Sequence, residues 1–229
     1  MGQFERIKLL VNDDVFNHIQ NQRICVFGVG GVGGIAVESF VRSGITKLIL
    51  VDFDKVEESN INRQIQATHK TIAQDKTTAL KARLLEINPD VEIIEVKEFI
   101  DESNINFLDT FKVDYVVDAI DSLSSKVVII DYCVRNNIPI ISSCGMGNRL
   151  DPSQIKVTRL DKTYNDPLAK RLRIACRSNG CGKIKVVFSS EIPVRRAKPI
   201  ASLSYMVNVA GLMIVSEVMK ELGVSAHEV

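Results

Sequence analysis

The stretch VFGVGGVGGI, residues 26–35, decides the fold. It leaves an apolar, β-branched run and enters a segment of helical character, so Gly28, Gly30 and Gly33 form G-x-G-x-x-G at a strand-to-helix junction, with Gly31 between them. Without side chains, backbone N–H groups can approach phosphate oxygens, and the helix N-terminus adds partial positive charge. Asp52 ends the next strand-like run, 19 residues after Gly33, where an acidic side chain accepts hydrogen bonds from ribose hydroxyls. These features fit a dinucleotide dehydrogenase as well as an ATP-using enzyme. A glycine-rich turn that binds nothing also stays open at this point.

Working outward, apolar runs alternate with segments of helical period. RICVFGV (23–29), KLILVDF (47–53), VEIIEVKEF (91–99), DYVVDAI (114–120) and IPIISSC (138–144) read as strands. IAVESFVRSG, TTALKARLLEIN and KVVIIDYCVRNN read as the intervening helices, with Gly44 and Asn88-Pro89 as stops. This alternation predicts an α/β fold, a Rossmann-like, doubly wound, mostly parallel sheet with an elaborated C-terminal third. One domain is expected over 1–229, with a nucleotide-binding core at about 21–145 and the elaboration at about 151–229. In that last part QIKVTRL and KIKVVFSS read as strands, KTYNDPLAKRLRIACRSNGCG as a loop, and SLSYMVNVAGLMIVSEVMKELG as one long helix. Tyr205, Val209, Leu212, Met213 and Met219 are its expected core or dimer face.

Composition sets broad limits. Lys plus Arg number 29 against 28 Asp plus Glu, so overall charge does not point to nucleic acid. MGQFERIKLLVNDD lacks an apolar core of signal-peptide length, and LMIVSEV is too short to span a bilayer, so a cytoplasmic protein without membrane attachment is expected. Cys25, Cys133 and Cys144 lie in apolar contexts and read as core residues. Cys176 and Cys181 form a single C-x-x-x-x-C without a second pair, so no structural zinc is expected. Loop residues or a disulfide are the other readings of that pair.

The stretch after the second strand narrows the chemistry. VDFDKVEESNINRQ brings Asn60, Asn62, Arg63 and Gln64, AQDKTTA brings Lys76, and DAIDS brings Asp121. A nicotinamide site has little use for an Arg and a Lys converging on its phosphates. An enzyme that directs attack at the α-phosphate of ATP needs them, because negative charge builds there and on the departing pyrophosphate. Asp121, after the fourth strand, is placed to hold Mg²⁺ at the carboxyl edge of the sheet.

GVGGVGG, VDFD, NINRQ, Lys76 and DAIDS, in this order, resemble the adenylating family that contains the ubiquitin-activating enzymes and their bacterial relatives in molybdopterin and thiamine synthesis. FERIKLL, NRQIQA, DAIDSLSSK, SSCGMGNRLDPSQIKV and KTYNDPLAKRLR resemble the branch that dehydrates threonylcarbamoyladenosine in tRNA. The resemblance spans about Phe4 to Leu222. It implies that the carboxylate of the modified nucleoside, next to the anticodon, is adenylated with release of pyrophosphate. Its own carbamoyl group then closes on the adenylate with net loss of water. It assigns Gly28, Gly30, Gly31, Gly33, Asp52, Asp54, Asn60, Arg63, Lys76 and Asp121 to ATP, with Asp121 also holding Mg²⁺. Arg63, Lys76, Asp121 and Arg6 become the catalytic set, Arg6 reaching into the partner's site of a homodimer. The resemblance also leaves a place for a monovalent cation (Na⁺ or K⁺) and a sulfur-relay protein partner. Two other functions stay open: adenylation of the C-terminal glycine of a ubiquitin-like sulfur carrier, and an NAD-binding oxidoreductase. Sulfur-carrier relatives generally hold zinc through two C-x-x-C pairs, which this chain lacks.

A local charge excess supports the tRNA branch. Between Lys162 and Lys198 ten basic residues face only Asp166 and Glu191. Lys170, Arg171, Arg173, Lys185, Arg195 and Arg196 are the candidate contacts to a phosphate backbone.

Overall fold

The computed structural model describes residues 2–176, 181–195 and 198–224. Two short helices, α1 (Glu5–Lys8) and α2 (Asp13–Asn21), precede the core. Asn12 caps α2 by accepting the Val15 N–H at 2.9 Å. The alternating part follows as β1 (Arg23–Phe27), α3 (Gly31–Arg42), β2 (Lys47–Val51), α4 (Lys76–Ile87), β3 (Glu92–Val96), β4 (Tyr115–Asp118), α5 (Leu123–Arg135) and β5 (Ile140–Ser143). The C-terminal part adds β6 (Ile155–Arg159), α6 (Pro167–Ala175), β7 (Lys185–Ser189) and α7 (Ser204–Glu221).

The seven strands form one sheet in the order β3-β2-β1-β4-β5-β7-β6. All neighbours run parallel except β6, which is antiparallel to β7. The fold is the expected doubly wound α/β sheet. Its central strands are mostly apolar because helices cover both faces, with Asp118 at the end of β4 and Ser142 on β5 as buried polar exceptions. On β1, Ile24 and Val26 pack towards α3, α4 and α7, whereas Cys25 and Phe27 pack towards α5 and α6. Each fully buried Val, Leu, Ile or Phe side chain stabilises the fold by about 1.5–3 kcal/mol.

Local differences have local causes. β1 stops at Phe27 and β2 at Val51, so the last residues of both expected strands belong to the site loops. α3 begins at Gly31 rather than Ile35, which makes the glycines its first turn. The expected loop 162–182 contains α6: Asp166 accepts the Ala169 N–H at 2.9 Å, and Pro167 occupies the first helical turn, where its missing N–H costs nothing. Cys176 and Cys181 are therefore not exposed loop residues. All five cysteines are buried thiols, and these two belong to the core beneath α5 and α6. On α7 the buried face is Met206, Val207, Ala210, Ile214, Val215, Val218 and Met219, and it packs on α3. Tyr205 and Leu212, expected on a core or dimer face, are exposed and so do not belong to this core. No helix among the described residues is long and apolar enough to cross a membrane.

Candidate nucleotide-binding site

The loops at the carboxyl ends of β1 to β4 line a cavity of about 430 Å³. Connections from β1 and β4 leave to opposite faces of the sheet, so the crevice between these strands is the place where an open α/β fold binds ligands.

Gly28 has φ +82°, in the left-handed region, and an added Cβ would lie 2.8 Å from Ile120. Gly30 caps α3 without a side chain, leaving the first N–H groups of the helix directed at the cavity. Gly28, Gly30 and Gly31 line it. Gly33 does not: a Cβ there would sit 1.8 Å from the Gly28 carbonyl oxygen, so its role is to let helix and loop approach.

Acidic groups stand on one side. Asp52 is buried and accepts N–H groups from Val29 and Asp54, each at 2.9 Å. Burial raises its carboxyl above the ordinary aspartate value, with the Lys76 charge opposing that rise. It thereby ties the glycine loop to the end of β2 while facing the cavity. Asp54 extends to Lys76, whose buried Nζ lies 2.6 Å from its carboxylate. Asn60 is also buried and spends its side-chain oxygen on the Glu57 N–H, folding the turn that carries Arg63. The Arg63 guanidinium donates to the Ser59 carbonyl and the Asn62 side-chain oxygen, both at 2.8 Å.

Asp121 lies between β4 and the N-terminus of α5, exposed on the cavity wall. Asp52, Asp54, Asn60, Arg63, Lys76 and Asp121, from distant points of the chain, thus share one cavity. Among the described residues no group of three or more His, Cys, Asp or Glu is arranged as a metal cage. Asp121, exposed on the wall of a cavity that Glu57 and Glu98 also line, fits Mg²⁺, which binds through one or two carboxylates, retains several waters and takes its other ligands from substrate phosphates.

Two lining residues escaped the sequence reading. Phe53 and Phe99 form an edge-to-face pair, centroids 5.3 Å apart, and are 56% and 46% exposed. Such rings beside a polar cavity offer a face on which a nucleobase can stack. Phe53 lies between Asp52 and Asp54 and could have been noticed, whereas Phe99 carries no motif.

Arg6 is exposed on α1 and does not line the cavity of its own chain. Of the basic candidates, Lys170 and Arg171 are exposed on α6, and Arg195 is exposed in the loop after β7. Arg173 instead donates to the Thr163 carbonyl and hydroxyl. Lys185 pairs with Glu217 at 2.6 Å and with Glu221 of α7. Arg196 lies outside the described residues.

Comparison with known proteins adds to this geometry. The chain is 35% identical over 241 residues to a tRNA threonylcarbamoyladenosine dehydratase of Bacillus subtilis, covering 97% of this chain and 95% of that one. It is 41% identical over 176 residues to the Escherichia coli protein of the same name, covering 73% of this chain and 66% of that one. Crystal structures of E. coli tRNA N6-threonylcarbamoyladenosine dehydratase with AMP and with ATP superpose with a TM-score of 0.91 at 34% identity. They cover 96% of this chain and 93% of the other. The ThiF family profile matches residues 4–228, and the chain belongs to the ThiF family.

Proposed function

We propose that this chain is an ATP-dependent tRNA threonylcarbamoyladenosine dehydratase, acting in the cytoplasm as one adenylating domain. The observation that carries the reading is the convergence of Arg63, Lys76 and Asp121 on the cavity that the glycine loop lines. Relatives similar over nearly the whole chain bear that name, and one is known with ATP bound.

The residues divide the work. N–H groups at the start of α3 hold phosphate oxygens. Asp52 takes the ribose hydroxyls, and Phe53 with Phe99 takes the adenine. Arg63 and Lys76 stabilise the charge that builds on the α-phosphate as the nucleoside's carboxylate attacks it. Lys76 exchanges Asp54 for phosphate oxygens in that step. Asp121 would hold Mg²⁺ with the phosphates, and the ion, when bound, neutralises the departing pyrophosphate. A carboxylate is a poor electrophile, and adenylation supplies a good leaving group. Ring closure then uses a nucleophile already tethered to the acyl carbon, so no enzyme nucleophile is required.

Lys170 and Arg171, exposed on α6, and Arg195, exposed in the loop after β7, form the tRNA-facing set in this proposal. A homodimer brings Arg6 of one protomer to the other's site. Exposed Leu9 and Leu10 beside α1, and Ile192, Val194 and Ile200 in the C-terminal loops, supply apolar surface for it.

The test is pyrophosphate release from ATP and Mg²⁺, with and without tRNA carrying threonylcarbamoyladenosine. Stimulation by that tRNA supports the reading. Stimulation only by a small protein ending in Gly-Gly replaces it with sulfur-carrier activation.

A further inference from the structure

Beneath the cavity wall lies a charged cluster that touches no solvent. Asp118, Lys126 and Ser142 are each 0% exposed. Lys126 Nζ lies 2.9 Å from Asp118 Oδ2 and donates to the Ser142 hydroxyl at 3.2 Å, while that hydroxyl donates to Asp118 Oδ2 at 2.6 Å. Asp118 Oδ1 accepts the Ile120 N–H at 3.3 Å. Every member thus has partners within the protein, and both oxygens of Asp118 accept from protein donors.

The three come from different elements: the end of β4, the first turns of α5, and β5. Asp118 and Lys126 bracket the segment 119–122, and Ala119, Ile120, Asp121 and Ser122 all line the cavity. Ala119 N–H donates to the Phe27 carbonyl at 2.8 Å, fastening the same segment to β1 beside the glycine loop. A buried ion pair is a poor source of stability, since apolar residues of similar volume do as well. Its distinguishing property is directional: it defines one arrangement of the elements that it joins.

We propose that Asp118, Lys126 and Ser142 are positioning residues that set the 119–122 segment so that Asp121 meets the metal-bearing phosphates of ATP. The inference rests on the adenylating reading of the cavity. A carboxylate displaced by about 1 Å costs on the order of 100-fold in rate, while the nucleoside half of the cavity, built on β2 and β3, is untouched.

The test replaces the cluster by apolar residues of similar size, Asp118→Leu with Lys126→Met and Ser142→Ala, in the full chain. Three quantities are compared with the unaltered protein: AMP affinity by calorimetry, Mn²⁺ affinity by electron paramagnetic resonance with a non-hydrolysable ATP analogue, and kcat for tRNA-dependent pyrophosphate release. We expect AMP affinity within about threefold, Mn²⁺ affinity reduced about tenfold and kcat reduced about 100-fold. A folded variant with unaltered Mn²⁺ affinity and kcat overturns the proposal. Should the triple variant fail to fold, Ser142→Ala alone keeps the ion pair and removes one donor. It is expected to weaken Mn²⁺ about threefold, and unaltered Mn²⁺ binding there overturns the proposal as well. If the unaltered protein neither binds Mn²⁺ with the analogue nor releases pyrophosphate, the adenylating reading itself falls and takes this one with it.

Discussion

Lys76 Nζ lies 2.6 Å from the Asp54 carboxylate, the lysine buried and the aspartate half-exposed. A cation held in this way is ready for an anionic ligand and leaves behind a carboxylate that water can solvate. Lys76→Met is therefore expected to lower kcat/KM for pyrophosphate release by about 100- to 1,000-fold. Stability should fall by no more than roughly 1 kcal/mol, because the abandoned Asp54 is wet. Parallel kinetics and urea unfolding check this, and equal losses in both would make Lys76 a structural residue.

Lys126 gives the opposite balance. Lys126→Met alone leaves the Asp118 charge buried without its partner, with an expected cost of about 3–5 kcal/mol. Adding Asp118→Leu should restore most of that stability. Urea midpoints of the single and double variants measure the coupling directly.

Gly33→Ala places a Cβ 1.8 Å from the Gly28 carbonyl oxygen, within the backbone that forms the phosphate loop. The chain can relieve this only by moving α3 from β1. A loss of roughly 3 kcal/mol and failure to bind ATP are expected. Thermal unfolding with and without ATP reads both, and a variant that ATP still stabilises would contradict the assigned packing.

Stability in acid should report Glu38. Burial works against its charge, but Arg83 and then Arg42 overcome this and hold its carboxyl below the ordinary glutamate value of 4.5. A carboxylate with a lowered folded-state value contributes stability that is present above pH 4.5 and lost as pH falls through the folded value. Glu38→Gln should flatten the stability curve below that pH. An unchanged acid slope in urea unfolding would remove Glu38 from the account.

Salt dependence separates the basic residues. Lys170→Ala with Arg171→Ala removes two exposed charges and should reduce the slope of log K for tRNA against log salt by about 1.4–1.8. Lys185→Ala should leave it nearly unchanged, since Glu217 and Glu221 already neutralise that lysine. Equal effects of the two variants would contradict this placement of the interface.

The fold was legible where burial dominates. After their first charged residues, RICVF and KLILV are apolar because both faces of their strands are covered, and such runs admit few other readings. The glycine loop and Asp52 were legible because a backbone approach to phosphate demands those residue types at those steps. Phe53 and Phe99 were not, since their contact depends on β2 and β3 lying in register side by side. α6 was hidden by its polar composition, although Asp166-Pro167 is a start signal in plain view. Lys185 carried charge in the sequence but not its two glutamate neighbours, which only the packing of α7 supplies. Tyr205 and Leu212 lie off the buried face of α7, whose Met206, Ala210, Ile214 and Val218 follow the helical period and pack on α3.

The most direct measurement follows oxygen. With tRNA whose threonylcarbamoyl carboxylate carries ¹⁸O, the reaction is run with ATP and Mg²⁺, and both AMP and the digested nucleoside are weighed. Adenylation transfers one carboxylate oxygen to the phosphate, so AMP should gain about 2 Da while the nucleoside loses one water, about 18 Da in unlabelled material. Unlabelled AMP with an unchanged nucleoside would contradict the central claim, and the cavity would then serve another substrate.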